Sequence, residues 1–311
     1  MNNNYRLVKS CLLATLVLMT MPVQAIEVIT TIKPIQLIAL SITKGTKEPQ
    51  MLLPAHSSPH DYQMRPSDMQ KLQKADLVFW VGPSLERFLS NVQETSPEST
   101  NWIELQALFE SEATQSQIKT TENSDEMEHA SEHQQDHNHE GMDPHIWLSP
   151  IHAGIIARKI AATLIESDPE STQTYSDNLA EFLKQLQKQD LSLKKQLSEI
   201  KDSGYYVFHD AYGYFERHYG LHHLGAFTLS PDRKPGAKRL QNIREQLESS
   251  DVRCVFTEPQ FKPSMVRAIT EGLKVNTQEL DPLATSIALH ANGYFMFLQQ
   301  LADSYVACLK K

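Results

Sequence analysis

Residues 171–203 read STQTYSDNLAEFLKQLQKQDLSLKKQLSEIKDS. Apolar side chains recur at Tyr175, Leu179, Phe182, Leu186, Leu193, Leu197 and Ile200, at intervals of three, four and seven residues. That spacing lays one stripe along a helix, because residues three and four apart share a face. No Gly or Pro interrupts it, and no turn signal divides it into a hairpin. The stretch predicts one long amphipathic helix over 171–203, roughly 45–50 Å at about 1.5 Å per residue. A helix of that length in mid-chain acts as a divider, so the segments on either side can be read separately.

Upstream, EVITTI reads as a strand and KPIQLIALSITKG as a helix. MLLP is a second short apolar run, followed by the loop AHSSPHDYQMRP. SDMQKLQKA is helical, with Ser67 as its expected N-cap. DLVFWVG is a buried strand closed by Gly82-Pro83, and WIELQ ends another. Downstream, YYVFHD, LHHLGAFTLSP, SSDVRCVFTEPQF and LKVNTQELDPL each hold a strand, with helical segments between them. Strands alternating with helices build parallel sheets. The expected fold is α/β: two lobes, each a mainly parallel sheet flanked by helices, joined by one long rigid helix. The expected divisions are an N-terminal lobe over 26–170, the linking helix over 171–203 and a C-terminal lobe over 204–311.

The first 25 residues stand apart. Arg6 and Lys9 precede the apolar run CLLATLVLMTMPV, and VQA offers small residues before a cut after Ala25. This is the pattern of a cleaved signal peptide, with an apolar run too short for a comfortable membrane span. Cys11 lies at the head of that run, not at the cut, so no lipid anchor is expected. Without the leader, 27 basic residues face 38 acidic ones, a formal −11. No basic stripe remains for nucleic acid, and no membrane insertion is expected after cleavage. Two cysteines are left, Cys254 and Cys308. In an exported chain such a pair points to a disulfide, tying the last helix to the second lobe.

Between about 111 and 142 the α/β pattern stops. Glu, Asp, Gln, Ser and His dominate, and no Lys or Arg occurs between Lys119 and Arg158. Such a composition cannot bury enough apolar surface to order itself, so a disordered surface loop is expected. It carries His129, His133, His137 and His139 among acidic residues, a set of weak metal sites.

Other histidines sit where a sheet would present them. In open parallel sheets ligands bind beyond the carboxyl ends of the strands. His60 follows MLLP, His145 lies in DPHIWLSP, His209 ends YYVFHD, and Asp281 follows VNTQEL. A cleft between lobes would collect all four. Three imidazoles with a carboxylate or water form an ordinary zinc set. Each histidine alone is more often a structural residue, and the spacing is too long for a local finger. Glu258, in FTEPQ, is placed to support a histidine from behind.

The ordered set PHDYQMRPSD, DLVFWVGPSLERF, DPHIWLSP, FHDAYGYFERHYGL, FTEPQF and LDPLA resembles the metal-specific solute-binding proteins of ABC importers, in particular their zinc branch. The resemblance covers nearly all of the chain after the leader. It implies two α/β lobes bridged by a rigid helix, and metal ligation by His60, His145 and His209, with Asp281 completing the set in many relatives. It implies a periplasmic, monomeric carrier of zinc(II) that serves an inner-membrane ABC permease and is not an enzyme. Manganese-type relatives commonly carry glutamate where His209 stands, and a third imidazole favours zinc over the harder manganese. Pro59 departs from those zinc members that place a glutamate before the first histidine, which leaves Asp281 or a water as fourth ligand. The alternatives are a manganese- or iron-type importer component and a zinc-dependent hydrolase, the latter lacking any HExxH motif.

Overall fold

A computed structural model describes residues 26–110, 142–228, 235–249, 252–261 and 264–310. The expected leader over 1–25 lies outside them. So does the acidic segment with His129, His133, His137 and His139.

The first lobe contains β1 (Val28–Thr30), α1 (Lys33–Ile42), β2 (Gln50–Met51), α2 (Pro66–Leu72), β3 (Leu77–Trp80), α3 (Ser90–Glu94) and β4 (Asn101–Glu104). Its sheet runs β2-β1-β3-β4, every pair parallel. Every residue of the LVFW run in β3 is buried, as a central strand covered on both faces requires. Helix α2 begins at Pro66, earlier than a Ser67 cap would allow. Proline fits the first helical position because its missing N–H needs no partner there. Asp68 accepts a hydrogen bond from the Arg65 backbone N–H at 2.8 Å.

After α4 (Pro150–Ser167), helix α5 (Thr172–Leu197) crosses to the second lobe. That lobe contains β5 (Gly204–His209), α6 (Gly213–Tyr219), β6 (His223–Thr228), α7 (Ala237–Ser249), β7 (Val252–Thr257), α8 (Ser264–Thr270), β8 (Asn276–Glu279) and α9 (Gly293–Leu309). Its sheet runs β6-β5-β7-β8, again all parallel. Both sheets reverse direction at one point, between β1 and β3 and between β5 and β7. A crevice opens beyond the carboxyl ends at each such reversal.

Helix α5 buries Tyr175, Phe182, Leu186, Leu193 and Leu197, packing on α4, α9 and α1. Its 26 residues span about 39 Å, shorter than the apolar stripe implies. Past Leu197 the backbone tightens: the Ile200 N–H donates to the Leu197 carbonyl and the Ser203 N–H to that of Ile200. Ile200 is buried all the same. The stripe therefore reports burial beyond the point where the helix stops.

One apolar core runs through the first lobe, the helices between the lobes and one face of the second sheet. A second cluster, with Phe227, Val255, Ile243 and Leu247, fills the other face. Polar contacts also cross between lobes: the Lys33 ammonium donates to the Thr285 carbonyl at 2.8 Å and the Trp147 indole to the Pro282 carbonyl at 2.7 Å. The Cys254–Cys308 disulfide joins β7 to α9, with Cα atoms 5.9 Å apart. Among the described residues, no helix is long and apolar enough to cross a membrane.

Candidate metal centre

His209 is the last residue of β5, and Glu258 follows β7 directly. They face each other across the reversal of the second sheet. The His209 Nδ1 lies 2.9 and 3.1 Å from the two Glu258 oxygens. A carboxylate there makes Nδ1 the protonated nitrogen and leaves Nε2 with its lone pair. Tyr212 braces the pair from behind, its hydroxyl 3.2 Å from Glu258 Oε1 and 2.9 Å from the Leu280 carbonyl.

His145 is built by a second local device. Asp143 Oδ1 accepts from both the backbone N–H and the Nδ1 of His145, at 3.0 and 2.7 Å. Its Nε2 is thereby also an acceptor aimed away from the carboxylate. The chain then turns through 146–148 into α4, where Ser149 Oγ accepts from the His152 N–H and Pro150 takes the first helical position. Trp147 packs edge-on against the imidazole, with centroids 5.3 Å apart. His60 comes from the loop after β2 and is half-buried.

The three imidazoles converge. Nε2 of His145 lies 3.3 Å from that of His60 and 3.1 Å from that of His209. One nitrogen from each ring falls within 4.8 Å of the others. Zn–N bonds of about 2.0–2.1 Å at tetrahedral angles set nitrogens about 3.3–3.4 Å apart. Lone pairs gathered this closely repel one another, and a shared cation relieves that repulsion. Burial, with His145, His209 and Arg87 nearby, pushes the His60 pKa down to about 2. At His209 burial opposes the charged form, but Glu258, Asp210 and Asp143 outweigh it, and the net shift is upward.

Asp281 is buried, and its carboxylate is occupied by its own loop and one neighbour. It accepts from the N–H groups of Leu283 at 3.0 Å and Thr285 at 2.5 Å, from the Thr285 hydroxyl at 2.7 Å, and from the Gln260 amide at 3.2 Å. Among the described residues, the three histidines form the only cluster of three or more potential ligands, and Asp281 stands outside it. His56 is exposed and outside it as well. The small cavity beside the imidazoles is lined largely by Pro59, Trp147, Phe261, Pro282 and Leu283, with Ser58, Glu258 and Gln260 as polar neighbours. Its volume is about 10 Å³, room for about one water molecule. Sequence reasoning found the histidines and Glu258 but missed Asp143, Tyr212 and Gln260. Only Asp143 carried a signal, lying two residues before a candidate ligand.

A two-lobed parallel fold with three imidazoles converging in its crevice is the arrangement of a metal-specific solute-binding protein. The family described as zinc-uptake complex component A, periplasmic, matches residues 28–308. A high-affinity zinc uptake system protein ZnuA from Yersinia pestis is 40% identical over 313 residues, covering 97% of this chain and 98% of its own. The protein of the same name from Haemophilus ducreyi is 38% identical, covering 91% and 93%. The periplasmic zinc binding protein TroA from Treponema pallidum shares the fold with a TM-score of 0.77 at 20% identity, over 93% of this chain and all of that one. A crystal structure of ZnuA does so at 0.71 and 23%, over 91% and 100%. The chain belongs to the periplasmic zinc-uptake complex component A family, whose role is transport rather than catalysis.

Proposed function

We propose that this chain captures zinc(II) on His60, His145 and His209 in the cleft between its lobes and delivers it to an ABC-type inner-membrane permease. One observation carries the reading: three imidazoles converge, two of them with Nδ1 fixed by carboxylates, and His145 Nε2 stands 3.3 and 3.1 Å from the other two Nε2 atoms, close to the spacing around a tetrahedral zinc. Three neutral imidazoles suit zinc better than manganese. A cavity with room for about one water suits a metal ion and its water better than an organic substrate, which favours a carrier over a hydrolase. The engagement of both Asp281 oxygens favours a water as fourth ligand, with Asp281 holding the loop over 281–285.

The chain works as a monomer in the periplasm after loss of residues 1–25. The segment with His129, His133, His137 and His139 gathers zinc near the cleft, raising its local concentration there. X-ray absorption of the zinc-loaded protein tests the core of this reading. It should show three imidazoles, identified by scattering from their outer ring atoms, with nitrogens at about 2.0–2.1 Å, and a single oxygen. A spectrum dominated by carboxylate oxygen, or fewer than three imidazoles, would refute it. Deleting residues 122–141 should weaken zinc uptake under scarcity; unchanged uptake would remove the gathering role.

A further inference from the structure

The turn after β7 contributes two polar residues to the lining of the metal cavity, Glu258 and Gln260, beside Phe261. Glu258 is committed to His209 and Tyr212. Gln260 is different. Its amide nitrogen donates to Asp281 Oδ1 at 3.2 Å, while its Oε1 is buried and has no partner among the described residues. The orientation of this amide is determined chemically. Asp281 already receives three other hydrogen bonds, so it is a pure acceptor and only the NH₂ end of Gln260 can face it. The carbonyl end is therefore turned away from Asp281. The turn is held by the Phe261 N–H donating to the Glu258 carbonyl and by Phe261 stacking on Phe208, with centroids 4.9 Å apart.

A buried amide oxygen without a partner is costly, and Gln260 is among the residues lining the cavity, which has room for about one water. A zinc-bound water is a strong donor, since the metal acidifies it. We propose that Gln260 is a positioning residue for the fourth ligand: its Oε1 accepts a hydrogen bond from the water on the metal, and Asp281 fixes the amide that does so. This gives the buried carboxylate a part in zinc binding without direct ligation. The inference rests on the three-histidine reading of the site.

The test combines competitive zinc titration with visible spectra of the cobalt(II)-loaded protein, for wild type, Gln260→Leu, Gln260→Asn, Gln260→Glu and His145→Ala. Leu removes the acceptor, and Asn withdraws it by one methylene. Both should lower zinc affinity about tenfold or more and alter the cobalt bands, which report ligand geometry. Melting of the metal-free protein serves as the folding control. Glu, protonated beside Asp281, donates through its hydroxyl and still offers a carbonyl to the water, so it should keep the wild-type spectrum and stay within about threefold in affinity. Wild-type affinity and spectrum in both Leu and Asn would overturn the proposal. Glu as damaging as Leu would also overturn it, by showing that a carbonyl acceptor kept at this position does not preserve the site. If His145→Ala leaves the tight site intact, the three-histidine reading itself falls, a result separate from failure at Gln260.

Discussion

Replacing Glu258 by Gln tests how far the groups behind the ligands set the affinity. The carboxylate is 4% exposed and meets His209 Nδ1 at 2.9 and 3.1 Å. It fixes the tautomer and, through its charge, makes Nε2 a better donor to a dication. Gln keeps the size and one acceptor but loses the charge. Partners of this kind are worth about 10- to 100-fold in metal affinity, or about 1.4–2.7 kcal/mol. The same charge also raises the His209 pKa, so it strengthens the competing proton as well as the metal. The loss should therefore be largest near pH 8 and shrink as pH falls, because the variant sheds proton competition too. Competitive zinc titration from pH 5.5 to 8 measures this. Affinity within about twofold of wild type throughout, or a loss independent of pH, would refute the argument.

Zinc binding in the wild type should itself weaken on acidification. His209, with its raised pKa, takes up a competing proton starting above its ordinary value of about 6.5. His60, held near 2, adds none across that range, so affinity constant down to pH 5 would contradict the assignment. Cys254→Ser with Cys308→Ser opens a loop of sequence separation 54. It should cost about 4 kcal/mol in unfolding experiments, with zinc affinity little changed because the bridge lies away from the imidazoles. Gly293→Ala places a Cβ 2.4 Å from Leu37 Cδ2 and 3.2 Å from the Ala288 carbonyl where α9 meets α1. Overpacking of this kind costs about 1–3 kcal/mol, and a urea midpoint equal to wild type would show that Leu37 can yield.

What could be read from the residues divides along physical lines. The stripe from Tyr175 to Leu197 and the buried LVFW run are local patterns imposed by burial, so helix and strand were legible. The end of α5 was not, because Ile200 remains buried after the helix has stopped. Ser67 looked like a cap, but Pro66, one residue earlier, already suits the first helical position. His60 and His209 were legible as residues at the ends of strands, and His145 as one just before a helix-like run. Their convergence depends on how the two lobes are brought together, which no spacing along the chain encodes. Asp281 sits where expected in the loop after β8, yet its oxygens are taken by Leu283, Thr285 and Gln260. Hydrogen bonds of that kind depend on loop conformation and leave no periodic trace. Gln260 was invisible for the same reason: an amide acquires meaning only when one end is occupied and the other is not.

The decisive measurement is a competitive titration of the protein with zinc and manganese, comparing wild type with the combined His60→Ala, His145→Ala, His209→Ala variant. One tight, zinc-preferring site in the wild type that vanishes in the variant, leaving only weak sites, is the expected result. Tight zinc binding that survives loss of all three imidazoles would place the metal elsewhere in the chain and contradict the assignment of the cleft.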